Sequence, residues 1–142
     1  MAAIKLSSGQ IVLKLYSDKA PNTVKNFINK ANSDFYNGLT FHRVETGFVV
    51  QGGDPKGNGT GGGTIASELS STPFVKGSVG LARGPANKNI SNDSQFFICL
   101  TTEACQHLTG DYVNFGHVVS GFEYAQLIKV GDKIIEITTD TK

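Results

Sequence analysis

Phe41-His42-Arg43-Val44-Glu45-Thr46-Gly47-Phe48-Val49-Val50-Gln51-Gly52-Gly53-Asp54 reads as strand, turn, strand and stop. Phe41 to Val44 and Phe48 to Gln51 are rich in aromatic and β-branched residues, Glu-Thr-Gly separates them, and Gly-Gly-Asp closes the second. Side chains alternate faces along a strand, so Phe41 is expected to share a face with Arg43, and Val49 with Gln51. A guanidinium and an amide then both sit among apolar neighbours, where each costs free energy unless it is satisfied. An ordinary surface arginine lays its stem over apolar side chains. The aromatic setting of Arg43 favours a functional cation over that reading.

Working outward, the flanking sequence extends the β-rich pattern. Upstream, Ile4 and Leu6, a Ser7-Ser8-Gly9 turn, and Ile11, Leu13 and Leu15 at period two predict an opening hairpin. Behind Pro21, the stripe Val24, Phe27, Ile28 and Ala31 predicts an amphipathic helix from about Pro21 to Ala31. Downstream, residues 55 to 77 are dense in Gly, Ser and Thr and read as a long loop with at most a short strand. Short strands are expected at Ser78 to Ala82, Gln95 to Leu100, Val113 to Val119 and Lys133 to Thr138, with a second short helix within Gly121 to Val130. Many short strands with Gly-rich turns and two helices indicate a closed antiparallel barrel or a sandwich, and pattern alone does not choose.

Composition narrows the function classes. The 142 residues fit one domain, 1–142, able to bury a core without staples. A net charge of +1, 18% charged residues and no basic run give no footprint for nucleic acid or a membrane surface. With no basic n-region before an apolar stretch and no run of membrane length, a cytoplasmic location is expected. Cys99 and Cys105 form no CxxC pair, so the simpler expectation is a reduced, disulfide-free protein. No coiled-coil seam argues against a monomer.

Other chemistries fit poorly. Gly57-Asn58-Gly59-Thr60-Gly61-Gly62 satisfies GxGxxG, but no helical stripe follows it to hold a phosphate, so nucleotide binding ranks low. His42, His107 and His117 are too scattered for a metal site, and His42 and His117 read as core or rim residues. Ser94 and Cys99 lie in no nucleophile elbow, and Cys99 reads as a small buried apolar residue.

The Phe-His-Arg-Val and Gly-Phe-Val-Val-Gln-Gly-Gly-Asp pattern resembles the signature of cyclophilins, the peptidyl-prolyl cis-trans isomerases. Three further stretches match in the family's order: Gly57 to Gly62, Ser94-Gln95-Phe96-Phe97-Ile98, and Val113-Asn114-Phe115-Gly116-His117-Val118. The resemblance implies a mainly β fold, a closed eight-stranded antiparallel barrel capped by two α-helices. It implies an enzyme without cofactor or metal, acting on proline-containing peptides and unfolded chains and so assisting folding. A module that binds proline segments without turning them over is the alternative.

Carried over position by position, the resemblance makes Arg43 catalytic and gives Phe48, Val49, Gln51, Ala82, Arg83, Phe97, His107, Leu108 and Tyr112 as substrate-binding residues. Phe97 would floor the proline pocket, and Gln51 would hold substrate backbone on one side of the rotating bond. The chain departs from the family in Leu81-Ala82-Arg83-Gly84 and in the longer segment 85 to 93 that follows. It also has His107 where animal members carry Trp, which implies weakened cyclosporin binding, and Tyr112 where a His often stands.

Overall fold

The computed structural model describes residues 1–141. Its strands are β1 (Ala2–Lys5), β2 (Gln10–Leu15), β3 (Phe41–Glu45), β4 (Val49–Gly52), β5 (Thr64–Ala66), β6 (Ser78–Leu81), β7 (Ile90–Asn92), β8 (Phe96–Cys99), β9 (Asn114–Ser120) and β10 (Glu136–Thr139). Its helices are α1 (Pro21–Asn32), α2 (Thr102–Cys105) and α3 (Phe122–Gln126), with a 3-10 turn at Gln106–Leu108. The Gly-rich loop, expected to hold at most a short strand, holds β5; its partner β7 lies in the segment after Gly84 and went unforeseen, as did α2.

Eight strands form one antiparallel sheet in the order β10-β1-β2-β9-β6-β8-β4-β3. The sheet curls but does not close, which corrects the expected closed barrel. Between the edge strands β3 and β10 there is no ladder, only an isolated bridge, Thr40 to Lys133, and loop bonds such as Ile134 N–H to Leu39 O at 2.7 Å. The chain entering β10 crosses that gap as a turn, with Gly131 at φ 92°, instead of running extended beside β3. Both expected helices are present, α1 with 12 residues and α3 with 5, and the four-residue α2 is an addition to them.

Apolar alternation fills the inside of the curl. Ile4, Ile11, Leu13, Val50, Phe96, Ile98 and Phe115 are fully or nearly fully buried there. Helix α1 adds Val24, Phe27 and Ala31 from the predicted stripe. Its N-terminus, which lacks a cap of its own, is capped across the chain: the Asn22 and Thr23 amides donate to the Glu68 carboxylate at 3.2 and 2.7 Å.

Cys99 and Cys105 are joined as a disulfide, their Cα atoms 6.2 Å apart and both residues fully buried. This corrects the disulfide-free expectation. The one turn of α2, capped by Thr101 Oγ1 accepting from the Ala104 amide, folds Cys105 back onto the end of β8. Among the described residues, no helix is long and apolar enough to cross a membrane, and no group of three or more potential ligands could hold a metal ion.

Candidate active site

The outer face of the sheet around β4 and β8 carries a second, smaller apolar cluster: Val49, Phe74, Phe97, Cys99, Cys105 and Leu108, with Phe48 and Tyr112 against it. Because β8 is buried on both faces, Phe96 and Ile98 point into the main core while Phe97 and Cys99 point outward into this cluster. Phe97 stacks on Phe74 at 5.7 Å and meets the Tyr112 ring edge-on at 5.9 Å. Phe48 stacks on His107 at 5.9 Å. The 3-10 turn after α2 delivers both His107 and Leu108 to the rim.

Above this floor opens a cavity of about 570 Å³, and all ten residues expected at the site line it, together with His42, Asn58 and Gly59. The polar side is built from β3 and β4. A bulge between Phe41 and Arg43 shifts the register, so Arg43 pairs with Gln51 while Phe41 pairs with Gly52. Phe41 is fully buried and the Arg43 side chain is 46% exposed, which corrects the expectation that they share a buried face. The bulge re-aims the guanidinium out of the core and over the cavity. Arg43 Nη1 donates to Gln51 Oε1 and Nη2 pairs with Glu45 Oε1, both at 3.1 Å.

Gln51 Nε2 in turn donates to Gln95 Oε1 at 3.1 Å. Gln95 is 2% exposed, and its Nε2 donates to the Gly59 and Gly61 carbonyls at 3.2 and 2.9 Å. Its place in this network was missed in the sequence, although it lies two residues before Phe97 at strand periodicity. On the opposite wall Arg83 lies over the Tyr112 ring, 4.3 Å from its centroid, and donates to the Asp111 and Gly84 carbonyls, each at 2.9 Å. Lys88, from the longer segment, reaches Asp111 Oδ1 at 3.5 Å. A smaller cavity of about 360 Å³ adjoins, sharing Gln51, Gly59, Ala82 and Arg83 and walled by β7.

His42 is a half-buried rim residue, and its buried Nδ1 has no partner among the described residues. Burial holds its imidazole below the ordinary pKa; the Asp54 charge opposes that shift and the Arg43 charge adds to it. The shift favours the neutral imidazole, and Arg43 is the cation held over this side of the cavity. The groups present can grip an apolar ring and donate hydrogen bonds beside it, and none is arranged as an activated nucleophile.

Residues 1–140 match the family model of the cyclophilin type peptidyl-prolyl cis-trans isomerases. The chain belongs to this family. Peptidyl-prolyl cis-trans isomerase B of Bacillus subtilis is 44% identical over 133 residues, covering 92% of this chain and 91% of that protein. A Helicobacter pylori peptidyl-prolyl cis-trans isomerase is 41% identical over 139 residues, covering 94% of this chain and 82% of the other. The fold agrees with a Cryptosporidium parvum cyclophilin type isomerase crystallised in the presence of the dipeptide Ala-Pro, at TM-score 0.87 and 27% identity over 99% of each chain. The cyclophilin assignment carries the activity with it: the protein is a prolyl isomerase.

Proposed function

We propose that this single-domain protein isomerises X-Pro bonds without covalent chemistry, Arg43 stabilising the twisted amide while the floor around Phe97 grips the proline ring. One observation carries the reading: a guanidinium oriented by two side-chain acceptors lines the same cavity as the apolar cluster around Phe97. The barrier to rotation is amide resonance, roughly 18–20 kcal/mol, and no bond has to break. As the amide twists, its nitrogen becomes pyramidal and gains a lone pair that accepts a hydrogen bond. A donor fixed beside it stabilises the twisted form more than either planar one, which is the condition for catalysis.

Gln51 spends one N–H on Gln95 and one lone pair on Arg43. An amide has two of each, so one donor and one acceptor remain for substrate backbone. Proline-containing peptides and unfolded chains are the substrate class, a choice supported by the Cryptosporidium relative crystallised in the presence of Ala-Pro. His107, stacked on Phe48, offers a smaller ring than Trp, so cyclosporin binds weakly. Slow X-Pro isomerisation limits the folding of many chains, and speeding it makes the enzyme a folding helper.

The test is the cis-to-trans relaxation of a short Ala-Pro peptide, and of a proline-limited refolding protein, with wild type and Arg43→Ala. A loss of roughly a hundredfold or more in kcat/KM is expected for the variant, comparable to removing one preorganised transition-state donor. Peptide binding without acceleration by the wild type would make the groove a recognition module and remove Arg43 from catalysis.

A further inference from the structure

One buried charge has no part in the steps above. Asp54, two residues past β4, is fully buried, and its carboxylate accepts the backbone amides of Lys56 at 2.8 Å, Asn58 at 3.1 Å and Gly59. Burial by itself would raise its pKa; the amides of Lys56, Gly61, Gly59 and Asn58 outweigh burial and hold the carboxyl below its ordinary value. Residues 56 to 61 are thus wound around an ionised side chain. Gly61 packs so closely that a Cβ there would collide with Asp54 Oδ1.

Wound this way, the loop aims two carbonyls, of Gly59 and Gly61, at Gln95 Nε2. An amide has a donor end and an acceptor end, so two carbonyls on its nitrogen leave only Oε1 to face Gln51. Gln51 must then meet it with Nε2, which turns Gln51 Oε1 toward the Arg43 guanidinium. Reversing any amide in the series would set donor against donor or acceptor against acceptor. Orientation therefore passes without ambiguity from a buried carboxylate to the cation at the cavity mouth.

We propose that Asp54 is a positioning residue for isomerisation, folding the 56–61 loop so that Gln95 and Gln51 hold the Arg43 guanidinium where the twisted amide needs it. This rests on the catalytic reading of Arg43. Neither Gln95 nor Gln51 can be aimed by its own rotamer alone, because each amide presents nearly the same shape either way round. The loop carbonyls break that symmetry, and the Asp54 carboxylate fixes the loop.

The test is a double-mutant cycle on Ala-Pro peptide turnover, with kcat and KM measured for wild type, Asp54→Asn, Arg43→Ala and the double variant. Asp54→Asn puts an amide –NH2 among backbone N–H donors, which opens the loop. It should lower kcat about tenfold or more, with KM changed less than about threefold. In the Arg43→Ala background the same change should cost less than about twofold, since the group it aims is gone. Losses that multiply in the double variant, or a loss confined to KM, overturn the proposal while leaving Arg43 catalytic. Equal rates for wild type and Arg43→Ala overturn the catalytic reading of Arg43 and take this proposal with it. If thermal unfolding shows that Asp54→Asn does not fold, Gly61→Ala replaces it in the cycle, pushing the loop off an intact carboxylate under the same criteria.

Discussion

Phe96 and Phe97 are neighbours on one strand, both almost completely buried, and they belong to different parts of the molecule. Phe96 packs edge-on against Phe27, Tyr36 and Phe41 inside the curled sheet. Phe97 packs against Phe74 and Tyr112 and presents itself to the cavity. The strand's two-residue period sorts them: one face fills the main core, the other packs the second cluster and lines the cavity where binding is proposed. Burial alone therefore does not identify a core residue in this fold; the side of β8 does.

The comparison is broken most sharply by truncating each ring. Phe96→Ala leaves a hole in an aromatic cluster that cannot collapse and is expected to cost about 3–5 kcal/mol in denaturant unfolding. Turnover per folded molecule should be nearly unchanged. Phe97→Ala opens a space that solvent already reaches through the cavity, so its stability cost should be smaller, about 2 kcal/mol. Its turnover, however, should fall tenfold to a hundredfold, roughly the value of burying one proline ring against that floor. Comparable turnover losses for the two variants would mean that the faces of β8 are not functionally separate.

Gly80 sharpens the same point from below. It sits on β6 opposite Phe97, and a Cβ there would lie 2.5 Å from Phe97 Cζ and 2.8 Å from Phe74 Cε1. The rings are the groups that must give way, so Gly80→Ala lifts the pocket floor without touching the main core. A stability cost of about 1–2 kcal/mol is expected, typical of overpacking, with KM for proline peptides raised and kcat less affected. A crystal structure of the variant with Phe97 unmoved would sink this account.

The strands and α1 were legible because their apolar periods are strong, and Arg43, Phe48, Val49, Gln51 and Phe97 because they stand in the ordered motifs; Ala82, Arg83, His107, Leu108 and Tyr112 lie outside those motifs and were placed only by the wider resemblance. What escaped the sequence was set by register and loop geometry. The bulge at His42 turns Arg43 away from Phe41, and strict alternation cannot show a one-residue shift. Gln95 stands in one of the matched stretches, where its neighbours assign it no role; that role appears only once the glycine loop brings carbonyls to it. Strand β7 pairs with β5 across a sequence separation that leaves no local signal, and the Cys99–Cys105 pairing depends on a single helical turn between them.

The smallest effect concerns pH and again separates the cavity side from the core. His42 faces Asp54 and Arg43 at the rim, and burial holds its folded-state pKa below the usual value near 6.5. A base with a lowered folded pKa binds its proton more readily in the unfolded chain. Stability should therefore be fully present above about pH 6.5 and decline as acidification moves from there toward the folded pKa. Tm measured between pH 7.5 and 5 should fall slightly in the wild type, and less in His42→Gln, which keeps a polar side chain but cannot titrate. An acid limb in His42→Gln as steep as that of the wild type would mean that the limb does not belong to the imidazole beside Arg43.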